Sequence, residues 1–325
     1  PPHHAKLSRR PKAASYGRDC DAWFAEVLAR HPGLEPEWRS VPAAANGFLQ
    51  LLDFAERHRV TGALGNEQLP LPDDLLDILS GRKEWSSQDV ATALARHQDL
   101  IEEISQIGSL PAQSAAGIPI DRYSFVGARL YKQCTDLLLA DARLAIERGD
   151  TDVPRERIRA ALGIARHMSD IESPSILMES VAVLIRLQVD DYAMQHLLPA
   201  QALDREDLAI WQHELESRKR RPEDFANTLR GEAYLSIRGL AIPALIGDTS
   251  PLSKHDIPDP DAFIDASIGR TLRLSRQAED SSIEDLATTL SPDVVELPEH
   301  LSPGALDAYK TFYFGASSWS KGWAR

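Results

Sequence analysis

At 325 residues, with 43% hydrophobic, 26% charged and only 6% aromatic residues, the chain has the balance of a globular protein with a real core rather than a disordered one. Its 36 basic and 49 acidic residues leave a formal charge of −13, a surface that repels phosphate backbones and anionic lipid and so argues against a nucleic-acid partner. The longest nearly apolar stretch, LAIPALIG at 240–247, is too short to span a bilayer, and two cysteines make neither a disulfide framework nor a zinc site.

Residues 1–18 read as an irregular tail with basic residues and no periodicity. A first helix is predicted from Asp19 or Asp21 to about Arg30, broken by HPGLEP. In 41–58, Phe48, Leu51, Leu52 and Ala55 recur at helical spacing. LGNEQLPLPDD is a loop, and Asp73 or Asp74 is placed to cap a short helix through Leu79. One helix is expected over 86–109, opened by a capping serine, with Val90, Leu94, Leu100, Ile101, Ile104 and Ile107 on its apolar side. LPAQSAAGIPIDR at 110–122 reads as a linker. It divides an N-terminal helical subdomain (19–115) from a main helical domain (116–325).

The segment 124–150 carries the strongest helical stripe, through Tyr131, Cys134, Leu138, Ala142 and Ala145, which makes Cys134 a small buried hydrophobe. In an oxidising compartment Cys134 could instead pair with Cys20. Gly149-Asp150 ends this helix, and Pro154 suits the first turn of the next, which buries Ile158, Leu162, Ala165 and Met168. Ser173 is expected to cap a helix over 174–198. Its apolar residues cover most of its circumference, as in a central helix surrounded by others, and Glu179, Arg186 and Asp190 form one polar stripe. Further helices are predicted at 203–219, 222–242, 259–278, 282–290 and 303–313, with the basic run RKRR (218–221) at a helix end, where cations suit the dipole. No alternating run is long enough for a strand. The fold class is all-α, with roughly ten to twelve helices packed as αα-hairpins in a bundle or short superhelix.

The run ARLAIERGDTDVPRERIRAALGIARHMSDIESPSILMESVAV, with FANTLRGEAYLSI downstream and NGFLQLLDFAE upstream, resembles a group of uncharacterised all-helical proteins of planctomycete-type and related bacteria. The resemblance covers about two thirds of the chain and implies an all-helical fold, an extracytoplasmic address with a signal or anchor removed, and no known activity. Without a removed leader the address would be cytoplasmic. The 137–169 hairpin also looks like a tetratricopeptide unit, but its spacing does not recur as a fixed-period array.

Candidate chemistry is sparse. ARHMSDIESPSILMES (165–180) holds His167, Asp170, Glu172 and Glu179. It carries none of the helical His/Glu pairings of a metal site and reads as an interhelical turn with solvated acids, so no metal is expected. Glu232 shares a helix face with Phe225, Leu229, Ser236 and Leu240, so it is either a tuned acid or base lining an interhelical pocket or half of an ion pair with Arg129, Arg143 or Arg186. Glu232 and His167 are therefore the two candidate catalytic residues. No nucleophile elbow, phosphate loop or dinucleotide fingerprint is present, and no cofactor is expected. The tail YKTFYFGASSWSKGWAR offers Tyr313, Trp319 and Trp323 as partner-binding aromatics, or as a clamp folded back on the helices. The expected function is a non-catalytic helical scaffold or binding protein for a protein or peptide partner. The alternative is an enzyme or small-ligand receptor built around Glu232.

Overall fold

The computed structural model describes residues 19–61, 67–123, 127–200, 205–217, 222–242 and 259–280. The expected helices at 282–290 and 303–313, the RKRR run and the aromatic tail with Tyr313, Trp319 and Trp323 lie outside these residues. The protein is all-α, and among the described residues no helix is long and apolar enough to cross a membrane. The chain divides into two compact units, Pro36–Arg221 and a second made of Pro1–Glu35 with Pro222–Arg325. Residues 110–122, expected to separate two domains, lie inside the first of these.

In the split unit, α1 (Cys20–Arg30) starts where expected. Asp19 is its N-cap and accepts from the Ala22 N–H at 2.9 Å. Trp23, Phe24 and Val27 are buried, and Phe24 meets Tyr234 edge-on at 5.1 Å. Tyr234 lies on α10 (Pro222–Ser236), which runs into a π-turn over Ile237–Ala241 and packs along α11 (Pro260–Asp280). The Trp23 indole N–H donates to Asp261 at 2.8 Å, and Arg30 bridges Asp261 and Asp265 at 3.2 and 3.0 Å, so one end of α11 is tied to α1.

The 36–221 unit opens with α2 (Gly47–His58), which buries Phe48, Leu51, Leu52 and Phe54. A two-residue antiparallel ladder follows, Val60 opposite Gln68 and Thr61 opposite Glu67, where only loop was expected. α3 (Asp73–Leu79) has Pro72 rather than an aspartate at its N-cap position; Asp73 and Asp74 sit in its first turn, where they suit the dipole. The helix expected over 86–109 is two helices, α4 (Ser87–Leu94) and α5 (Gln98–Gly108). Ser86 caps the first as expected, accepting from the Asp89 N–H at 3.3 Å.

α6 (Ala128–Glu147), α7 (Asp152–Ser169) and α8 (Ile176–Tyr192) follow as successive hairpins. The turn after α6 places Gly149 at φ 79°, and the Asp150 carboxylate accepts from the Asp152 and Val153 N–H groups at the start of α7. α7 crosses α5 at backbone contact: a Cβ on Gly163 would stand 1.7 Å from the Gly108 carbonyl oxygen. Arg157, 4% exposed, is neutralised by Asp141, Glu102 and Glu156 at 2.9, 3.2 and 3.2 Å, linking α5, α6 and α7. α8 continues through a π-turn at Ala193–Leu197, and α9 (Arg205–Ser217) closes the unit. Cys134 is wholly buried on α6 and Cys20 is half-buried on α1; both are free thiols.

Candidate functional site

In the stretch 165–180, His167, Glu172, Ser175 and Glu179 are all engaged by neighbouring groups. His167, on the last turn of α7, is 1% exposed. Its Nε2 lies 3.0 Å from the Ile107 carbonyl oxygen, which assigns the proton to Nε2 in a neutral ring, and Nδ1 stands 3.4 Å from Gln113 Oε1. Burial pushes its pKa down to about 4, against the opposing pull of the Ile107 hydrogen bond. The ring lies against Gly47, where a Cβ would meet Nε2 at 2.2 Å. Nε2 is held by a backbone carbonyl and the ring is sealed from solvent, so His167 is poorly placed to shuttle protons or bind a metal.

Glu172 was expected among solvated acids, yet its side chain is only 4% exposed. One carboxylate oxygen accepts from the Arg39 backbone N–H at 3.0 Å and from Arg39 Nε at 2.9 Å, and the other from the Ala115 N–H at 2.9 Å. Burial pushes this carboxyl up. The hydrogen bonds from Ala115, from its own backbone, from Ser114 and from Arg39 outweigh it and hold the group below the usual carboxylate range. Arg39 also donates to the Asp170 carbonyl, and Ser114 Oγ donates to the Arg39 carbonyl at 2.7 Å. Asn46 completes the junction: it caps α2 at the Leu49 N–H, donates to the Ser114 carbonyl at 2.9 Å and accepts from the Ser114 N–H at 3.1 Å. Three loops, 36–46, 110–119 and 170–175, are thus locked through one buried carboxylate and one buried amide, and the expected linker is part of the core.

The cap of α8 also differs from expectation. Ser175, not Ser173, accepts from the Met178 N–H at 3.1 Å, and both Ser173 and Pro174 precede the helix. Glu179, expected in solvent, is buried on the first turn of α8, 3.5 Å from Arg186. Arg186 also donates to Ser169 Oγ at 2.6 Å and stands 3.8 Å from Asp170. Among the described residues no group of three or more His, Cys, Asp or Glu side chains converges as a metal would require.

Glu232 is half-buried on α10 and accepts from Ser236 Oγ, one turn on, at 3.0 Å. Two of its expected arginine partners are engaged within the 36–221 unit. Arg143 stacks 3.9 Å over the Trp85 ring and donates to Glu147, while Arg186 holds Glu179.

The feature that sequence reasoning missed is on α8. This helix was expected to be surrounded, but Leu184 and Leu187 are 59% and 56% exposed, and Met194 and Leu198, in and just past the π-turn that follows the helix, are 64% and 40% exposed. Asp191 between the two pairs is also exposed, and the π-turn breaks the 3.6-residue phase, so the four apolar side chains do not form one helical stripe. On α9, Leu208 and Leu215 are also exposed, and Trp211 between them donates to Asp190 of α8 at 3.3 Å. Single surface leucines are ordinary; several exposed apolar side chains on neighbouring turns are less so. The sequence held no signal for this exposure, since the helix is apolar on most of its circumference. No known protein family, curated protein or solved structure matches the chain.

Proposed function

We propose that the protein is a non-catalytic helical binding protein that engages a protein or peptide partner through the outward face of α8. The exposed Leu184 and Leu187 of α8, with Met194 and Leu198 just past its end, carry this reading. The polar groups at the end of α7 support the same view, because the Ile107 carbonyl holds His167 and the Ala115 and Arg39 donors hold Glu172, so that both brace helices and loops. The hairpins of α6, α7 and α8 provide the rigid base that a docking surface needs.

The test is site-specific photo-crosslinking. A photoreactive residue at position 187 should give a discrete adduct in an extract of the source cells. The same residue at Gln88, exposed on α4, should not, and Leu184→Asp should abolish the adduct at 187 while the circular dichroism stays unchanged. Equal labelling at both positions, or none at 187, would overturn the reading.

A further inference from the structure

We propose that the cleft between the start of α4 and the end of α6 binds a small zwitterion, a molecule with one carboxylate and one ammonium group such as a free amino acid or a dipeptide. The site lies within the 36–221 unit and uses none of the α8 residues named above. Its volume is about 550 Å³, inside the range of roughly 300–1,000 Å³ typical of small-ligand sites. Leu144, 4% exposed, is its apolar wall, and Ser87, Gln88, Glu147 and Arg148 are its polar ones.

The Glu147 carboxylate is held in place from one side. Its Oε1 accepts from the Trp85 indole N–H at 3.1 Å and from Arg143 Nε at 3.3 Å, and the Arg143 guanidinium stacks over the Trp85 ring. The same indole N–H reaches Ser87 Oγ at 3.3 Å, which ties the start of α4 to this group and leaves the Ser87 hydroxyl its own proton to donate. Glu147 Oε2, the Gln88 carboxamide and the Arg148 guanidinium have no hydrogen-bond partner among the described residues, and all three residues line the cleft. These groups define the ligand. Oε2 accepts from an ammonium N–H, while Arg148, Ser87 and Gln88 are donors for a carboxylate. A ligand with one kind of charge meets an opposing group: an amine or metal ion faces Arg148, and a phosphate faces Glu147. One carboxylate is also too few ligands for a metal, and among the described residues no group of three or more metal-ligating side chains gathers. A zwitterion uses both charges at once.

The experiment titrates the full chain, at low salt, with alanine, with alanylalanine, and with the N-acetylated and C-amidated forms of each. Binding is read from the NMR signal of the Trp85 indole N–H, assigned by its loss in Trp85→Phe. A saturable shift is expected with at least one of the two zwitterions, and whichever binds more tightly names the source, free amino acid or short peptide. Acetylation and amidation should each weaken that binding by about tenfold, the loss of one charge-assisted contact. The acetylation penalty should fall below about threefold in Glu147→Gln, which keeps an acceptor for Trp85 and Arg143 and removes only the charge. The amidation penalty should fall in the same way in Arg148→Gln. Circular dichroism checks that both variants are folded. The proposal is overturned if no probe gives a saturable Trp85 shift, or if the blocked forms bind as tightly as the zwitterions. A penalty at only one end would overturn the zwitterion in favour of a simple anion or amine. Penalties that survive both variants would move the binding away from this cleft.

Discussion

The end of α7 and the outer face of α8 lie close together in the chain and solve opposite problems. Around His167 and Glu172, polar groups are buried and bonded: a histidine to the Ile107 carbonyl, a carboxylate to the Ala115 and Arg39 N–H groups, an asparagine to both backbone groups of Ser114. On α8, Leu184 and Leu187 are apolar and more than half exposed. The contrast shows why polarity alone misleads in a search for function. The cluster of His, Asp and Glu looks like chemistry and holds loops together, while ordinary leucines are the side chains on which the proposed docking rests.

Substitutions should divide along the same line. The largest loss of stability is expected from Gly163→Val. The added carbon would strike the Gly108 backbone carbonyl, which cannot yield like a flexible side chain, at a cost of about 4 kcal/mol by urea denaturation. Glu172→Ala should cost about 3 kcal/mol, because it leaves the buried Ala115 N–H without an acceptor and releases Arg39 from the junction. A loss under 1 kcal/mol there would break the comparison by making the junction dispensable.

Acid should act next. His167 has a folded pKa of about 4 against about 6.5 when unfolded, so the unfolded chain binds the extra proton. The stability of the neutral ring is complete above pH 6.5 and drains away as the pH falls towards 4. The contribution lost between pH 7 and 5 is about 2 kcal/mol, and His167→Gln should flatten that slope whatever its effect at pH 7. The smallest effect belongs to α8. Leu184→Ala and Leu187→Ala should each change stability by no more than about 0.5 kcal/mol, since both side chains are more than half exposed and alanine favours helix. The same changes should weaken partner binding severalfold. A large stability loss at either leucine would mean that the face is core, not a docking surface.

Much of the helical content was legible from local signals. Asp19 and Ser86 cap their helices, Gly149-Asp150 turns the chain, and the stripe through Tyr131, Cys134, Leu138, Ala142 and Ala145 is buried on α6. Each of these depends on neighbours within a few residues, through a capping hydrogen bond, a positive φ or a 3.6-residue period. The break at 95–97 was not legible. Leu94 and Ile101 are seven residues apart, so the apolar stripe continues in phase across the gap while α4 packs on α3 and α6 and α5 crosses α7.

The acids of 170–180 show the limit most clearly. Nothing local separates Glu172 from a solvated loop residue, because its partners at Arg39 and Ala115 are 133 and 57 positions away. The same holds for the open face of α8: an apolar residue registers the same period whether or not a neighbouring helix arrives to cover it. By itself the sequence determined where most helices begin and end and which sides are apolar, because those depend on local hydrogen bonding and periodicity. Only the tertiary structure decided which carboxylates were buried and which apolar face stayed in water, because burial is set by segments that meet through folding and not by residues that are neighbours in the chain.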